Sequence, residues 1–454
     1  MTSRFAALSR QDGMDATTNP HHNPTDIVVI GAGIAGLVAA GHAARLGHKV
    51  TLVERGEPGG RGRSPRNAKG YCHGHGPHAL YTGQHLHRAL SHLGVEVTGA
   101  PPPLKGAMGL VDQRLGLLPG GAVSLMRSDL VPGRAKPQLA KLLASLQRVD
   151  PTDHAHQSVD QWLDELALKP EVRRLIEALV RLTTYCADHD IGSADAAIAQ
   201  VKLGLSSGVL YLDGGWQQIV DGLVGACREL GVRFVERCAA THVDGTSVTL
   251  DNSRTLQASA VVVAGLSPEA VAGLVVGSPD LRPDAGPPVA AATLDVGIVG
   301  EAAVGFILGI DEPLYCSRHD PPASLAPPGH SLYGLMRYLR HGESHDHTAT
   351  RSRLEALART AGIDAAQIAE IHYSHRLTVA HGQPLAARGG MAGRPAVDAL
   401  EMSGVYLAGD WVGSEGLLAD AAAASAVEAA HLAAAHCATG VGPGDRGACD
   451  RART

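Results

Sequence analysis

An apolar run, Ile27-Val28-Val29-Ile30, feeds without a break into Gly31-Ala32-Gly33-Ile34-Ala35-Gly36, and no other stretch limits the fold as tightly. The run predicts a buried parallel strand. A helix pattern follows from Leu37 to Leu46, with Gly47 as its stop. A second strand runs from Lys49 to Val53 and ends on Glu54. Strand, glycine turn, helix, strand and terminal acid together make the βαβ dinucleotide fingerprint in its required context. Gly31 permits the tight turn, Gly33 admits a pyrophosphate to the backbone, and Gly36 lets helix and strand pack closely. The helix N-terminus, just after Gly33, Ile34 and Ala35 (all three candidate cofactor contacts), offers unpaired N–H groups and positive dipole to phosphate. Glu54, followed by Arg55, sits where a carboxylate accepts hydrogen bonds from a ribose 2′-OH and repels a 2′-phosphate.

The fingerprint alone serves NAD and FAD equally. Two further segments separate them: Gly59-Gly60-Arg61-Gly62-Arg63-Ser64, just after the second strand, and Gly404-Val-Tyr-Leu-Ala-Gly409-Asp410-Trp411-Val412-Gly413, before an alanine-rich helix. With these motifs the sequence resembles the FAD-dependent superfamily of amine oxidases, protoporphyrinogen oxidases and phytoene-desaturase-like dehydrogenases. The resemblance spans residues 25–437 in outline, specific at both ends and loose in the middle.

The resemblance implies FAD as cofactor and an α/β fold. It pairs a Rossmann-like FAD-binding domain (a GR2-type flavoprotein) with an α+β substrate domain, both discontinuous. The FAD-binding domain is expected at 25–100, 206–284 and 391–437, and the substrate domain at 101–205 and 285–390. Residues 1–24 and 438–454 read as a disordered lead and tail, with Met14 an alternative start. By the same resemblance Gly60, Arg61 and Arg63 line the flavin and pyrophosphate. Gly409 and Asp410 serve the ribityl-phosphate region, and the strand at Ala240 lays its backbone against adenine. Gly76 and Pro77 bring backbone close to the isoalloxazine, with His78 beside it. Leu417 and Leu418 suit an apolar pocket at the start of the last helix.

Composition narrows the function classes. Hydrophobic residues make up 44% of the 454, which supports an ample core. A net charge of −6 gives no global case for nucleic acid or an anionic membrane. Seven scattered cysteines without a C-x-x-C argue against a disulfide framework and structural zinc, so a cytoplasmic setting is expected. No apolar stretch approaches the ~20 residues of a transmembrane span. The helix over Lys136–Leu146 carries two lysines, too few to mark a membrane anchor, although peripheral contact stays open. His73, His75 and His78 lie close enough to ligate a metal, but no carboxylate is near, and no metal is expected.

In such an enzyme the flavin carries the redox step and the protein positions it. The helix after Asp410 is expected to aim its N-terminus at charge developing on the flavin. Glu415 and Asp420 flank its start, and Glu415 and His78 are the weak catalytic candidates. Two departures from the resembling family count against a standard amine oxidase: no lysine follows Lys202, and the stretch from Trp411 to Asp420 carries no tyrosine. The expected reaction therefore passes a hydride equivalent between flavin N5 and a largely apolar small molecule, as in the phytoene-dehydrogenase-like branch. An amine oxidase with an altered site, or a flavoprotein using FAD structurally or for isomerisation, remains the alternative.

Overall fold

The computed structural model describes residues 25–74 and 79–439. The expectations for the lead, for Gly76, Pro77 and His78, and for the tail from residue 440 lie outside the described residues.

A five-stranded parallel sheet carries the fingerprint. Its spatial order is Val405–Ala408, Ala260–Ala264, Ile27–Ile30, Val50–Val53 and Arg233–Val235. Every residue of Ile27–Ile30, Val50–Val53 and Ala260–Ala264 is buried, as a sheet covered on both faces demands. The helix Ile34–Arg45 packs against Leu418–Ala438, the longest helix, and against Gln217–Glu229. A three-stranded antiparallel meander, Ala240–Asp244, Ser247–Leu250 and Thr255–Gln257, is a separate small sheet.

The second large sheet has seven strands and is almost wholly antiparallel. Its order is Ile368–Ala380, Val289–Val299, His330–Leu339, Leu314–Asp320, Phe306–Gly309, Met108–Val111 and Arg114–Leu117. Short strands are the sequence-based expectation for 285–390, yet Val289–Val299, His330–Leu339 and Ile368–Ala380 run for 11, 10 and 13 residues. Long cross-strand pairing, bent by register shifts in Val289–Val299 against Ile368–Ala380, holds them together where no turn residue cuts in. Helices Lys136–Leu146, Val159–Glu165, Pro170–Thr184 and Ala194–Ser206 form a core with one face of this sheet. Ser158 caps the second of these through a capping box with Gln161.

Candidate FAD site

The three fingerprint glycines do three different jobs. A Cβ on Gly31, at φ +96, would meet the carbonyl oxygen of Ala264 at 2.4 Å. One on Gly36 would reach the carbonyl oxygen of Gly31 at 1.7 Å, so the helix closes on the turn only without a side chain. A Cβ on Gly33 would meet nothing within 4 Å, because Gly33 faces a cavity. Gly33 is also the N-cap of Ile34–Arg45, and no side chain caps that helix. Its first N–H groups are left for a ligand.

The cavity has a volume of about 930 Å³. Distant parts of the chain meet around it. Gly31, Gly33, Ile34 and Ala35 form one wall, with Glu54 and Arg55 beside them. Gly60, Arg61 and Arg63 form the next, where Gly59 bridges to Gly33 and its N–H donates to the Ala32 carbonyl at 2.7 Å. Ala240 lines another part, and Gly409, Asp410, Leu417 and Leu418 close the far side. Gly36 is packed behind the turn rather than exposed to the cavity.

Charge within this wall is arranged by hydrogen bonds. The Glu54 carboxylate accepts from the N–H of Ala32 at 2.7 Å and of Gly56 at 2.8 Å, which fixes it at the cavity edge. Arg61 donates to Asp410 at 2.7 Å and to the Val379 carbonyl at 2.9 Å. The two partners of the ion pair are 349 positions apart in sequence. Asp410 is buried and also accepts from the His381 N–H at 3.3 Å. Burial, helped by the Arg61 charge, holds the His381 imidazole below its ordinary range, against the pull of Asp410. Arg63 pairs with Glu57 at 2.6 Å on the exposed rim.

The second helix pointing at the cavity is Leu418–Ala438. Its N-cap, Leu417, offers no side-chain hydrogen bond, and Leu418 stands at φ +56. Arg394, buried, donates to the carbonyls of Glu415 and Gly416 and so braces the loop that aims this helix. Asp420 lines the cavity, and its Oδ1 accepts from the Leu86 N–H at 2.8 Å. Burial pushes its carboxyl up. Glu415 is placed elsewhere: it lines a separate cleft with its carboxylate 3.5 Å from His85.

Sequence reasoning did not single out His381, Tyr81 or Tyr185, all of which line the cavity. Tyr81 and Tyr185 lie just past recognisable motifs or helices and carry no pattern of their own. Burial pushes the Tyr81 phenol up to about 12 and that of Tyr185 well above its ordinary value, so both keep their protons. Trp216, from the Gly214-Gly215-Trp216 turn, joins them in the wall.

These features fit a dinucleotide. Two uncapped helix N-termini, a glycine face open to the backbone and a paired arginine are a cradle for phosphates. The Leu80, Leu86, Leu266, Leu417 and Leu418 side chains suit an apolar ring. Across residues 26–429 the chain matches the family described as "FAD dependent oxidoreductase", and it belongs to that family. FAD is its cofactor, and its solved structural neighbours include amine oxidases.

Among curated proteins it is 27% identical over 278 residues to the putative flavin-containing monoamine oxidase AofH of Mycobacterium tuberculosis, covering 55% of this chain and 58% of that protein. It is 50% identical to the L-amino-acid oxidase of Daboia russelii over 60 residues, 13% of this chain and 11% of the oxidase. The chain thus spans less than two thirds of the length of these relatives. Among solved structures, cyclohexylamine oxidase from Brevibacterium oxydans superposes with TM-score 0.65 at 18% identity, over 91% of this chain and 99% of that one. A putrescine oxidase triple mutant superposes with TM-score 0.70 at 16% identity, over 90% of this chain and 98% of that one. At such identities these likenesses concern the fold. Among the described residues no helix is long and apolar enough to cross a membrane.

Proposed function

We propose that the chain moves a hydride equivalent between a largely apolar small organic molecule and its FAD, as a dehydrogenase or desaturase of the phytoene-dehydrogenase-like kind. The observation that carries this reading is the departure from the amine-oxidase pattern, no lysine after Lys202 and no tyrosine from Trp411 to Asp420, at a site whose far side closes on Leu417 and Leu418. When bound, FAD supplies the two-electron redox chemistry that no side chain here can perform.

The chain's own residues bind and orient. Gly33 and the first turn of Ile34–Arg45 would hold the pyrophosphate, and Glu54 a ribose hydroxyl. Arg61 and Asp410 would fix the linker between phosphate and ring. The N-terminus of Leu418–Ala438 would face the negative charge that grows on the ring during reduction. The leucines exclude water and so strengthen each of these interactions. Tyr81 and Tyr185, held protonated, are hydrogen-bond donors at neutral pH.

We assign FAD binding to 25–100, 206–284 and 391–437, substrate binding to 101–205 and 285–390, and a reducing, cytoplasmic setting, in line with six free cysteines among the described residues. Amine oxidation is the second reading. The aromatic wall of Tyr81, Tyr185 and Trp216 favours it, as do the names of the cyclohexylamine and putrescine oxidases. Anaerobic mixing of the yellow protein with apolar alkenes and alkanes, and separately with primary amines, tests the choice. Bleaching of the ~450 nm band by the first group alone supports the proposal, since the cofactor reports its own reduction. Bleaching by amines alone, with peroxide on admission of air, replaces it with the second reading.

A further inference from the structure

The turn that leads into Leu418–Ala438 is held from its inner side by one residue. Arg394 is 5% exposed, and its Nη2 donates to the carbonyls of Glu415 at 3.3 Å and Gly416 at 3.0 Å. Its neighbour Pro395 accepts from the Gly413 N–H at 2.8 Å. On the outer side Ser414 and Glu415 are exposed, and the Glu415 carboxylate stands 3.5 Å from His85. Gly416, at φ +68, lies directly on the helix start, since a Cβ there would come within 2.9 Å of the Asp420 backbone. Leu417, Leu418, Ala419 and Asp420 then line the FAD cavity. Arg394, the turn and the cavity-facing end of the helix are therefore one contiguous unit.

The segment that carries Arg394 is itself anchored. Asp195, buried in the first turn of Ala194–Ser206, accepts from the Met391 N–H at 2.9 Å. The Ser193 N–H donates to the Pro384 carbonyl at 3.0 Å, and the Ala386 N–H to the Ile191 carbonyl at 3.1 Å. The backbone before Arg394 is thus tied to the start of that helix, and the guanidinium works from a fixed base. Its Nε and Nη1 are buried with no partner. A buried guanidinium with donors unmet costs stability, so packing alone does not account for it. Burial lowers the guanidinium to about 10, against the pull of Asp410 and Asp195, and it stays charged at neutral pH.

We propose that Arg394 is a positioning residue for flavin reduction. Through the 413–416 turn it holds the N-terminus of Leu418–Ala438 at the FAD cavity, where the helix dipole favours negative charge on the reduced cofactor. Loosening the turn lets that end of the helix retreat or fray, and the reduced form loses more than the oxidised one. The inference rests on the FAD reading of the cavity and not on the identity of the substrate.

The test loads the full chain with FAD and reads the midpoint potential of the bound flavin anaerobically against a reference dye, with no substrate present. Arg394→Met is expected to weaken binding of reduced relative to oxidised FAD about ten-fold, a fall of about 30 mV for two electrons. Arg394→Lys, which keeps a donor for the two carbonyls, should recover more than half of that shift. Gly416→Ala keeps the charge and disturbs the turn, and its potential should also fall. It carries the test if Arg394→Met does not fold. A folded Arg394→Met at the wild-type potential overturns the proposal, as for a side chain that only supports stability. Gly416→Ala at the wild-type potential does the same, because the charge would then act without the turn. A wild-type chain that takes up no FAD removes the cofactor site, whereas normal uptake with unmoved potentials removes the role of Arg394 alone.

Discussion

Gly33 is open to solvent-sized space on the side where a Cβ would grow, and its φ of −73° is ordinary for any residue. Gly33→Val is therefore expected to fold with a melting temperature close to that of FAD-free wild type while losing FAD, because the new side chain occupies the phosphate approach. Flavin absorbance per chain, alongside thermal melting, checks both halves. Full flavin occupancy in the variant would remove the glycine loop from the site. Asp410→Ala is a different kind of lesion. It strips the buried end of the Arg61 ion pair and frees the His381 N–H, so retention of FAD on dilution should fall by about ten-fold or more, as expected for loss of a charge-assisted bond. Retention equal to the wild type would leave Asp410 a structural residue. Glycines and the Gly-Asp pair were legible in sequence because each sits at a fixed offset from a strand end. His381, Tyr81 and Tyr185 were not, since the fold alone carries them to the cavity.

Among the elements, the alanine-rich helix Leu418–Ala438 does two things with one composition. Small side chains let it lie close against Ile34–Arg45, and Ala423, Ala426, Ala429, Ala430 and Ala433 are all fully buried. The same closeness brings its N-terminus to the cavity. Ala426→Leu is expected to destabilise the protein by about 1–3 kcal/mol through overpacking. Urea unfolding of apo protein measures this, and an unchanged midpoint would mean the interface has slack. Helix Lys136–Leu146 appears where sequence places it, because amphipathic spacing is local. The long strands of the second sheet were less legible. Their length comes from partners far away in sequence, which no local pattern reports.

The whole molecule carries buried histidines whose protonation opposes folding. In the unfolded chain each takes up its proton near pH ~6.5. In the fold burial pushes His42 and His319 down to about 4 and His189 to about 3. Between those values the unfolded state binds more protons, so stability falls as pH drops from ~6.5 towards ~4, by at most on the order of 3 kcal/mol for each group. Asp420, whose carboxyl is pushed up by burial, takes its proton earlier in the fold and offsets a part of the loss at the acid end. Urea midpoints should therefore be clearly lower at pH 5 than at pH 7, and a midpoint that rises on acidification contradicts the burial of these rings. The central claim is larger than any of these groups: Gly31–Gly36, Arg61 and Asp410 build one FAD cradle from opposite ends of the chain. The most direct measurement is the flavin content of the purified protein, before and after incubation with FAD. One FAD per chain is expected in the wild type and none in Gly33→Val. A folded wild-type chain that stays colourless and takes up no added FAD contradicts it.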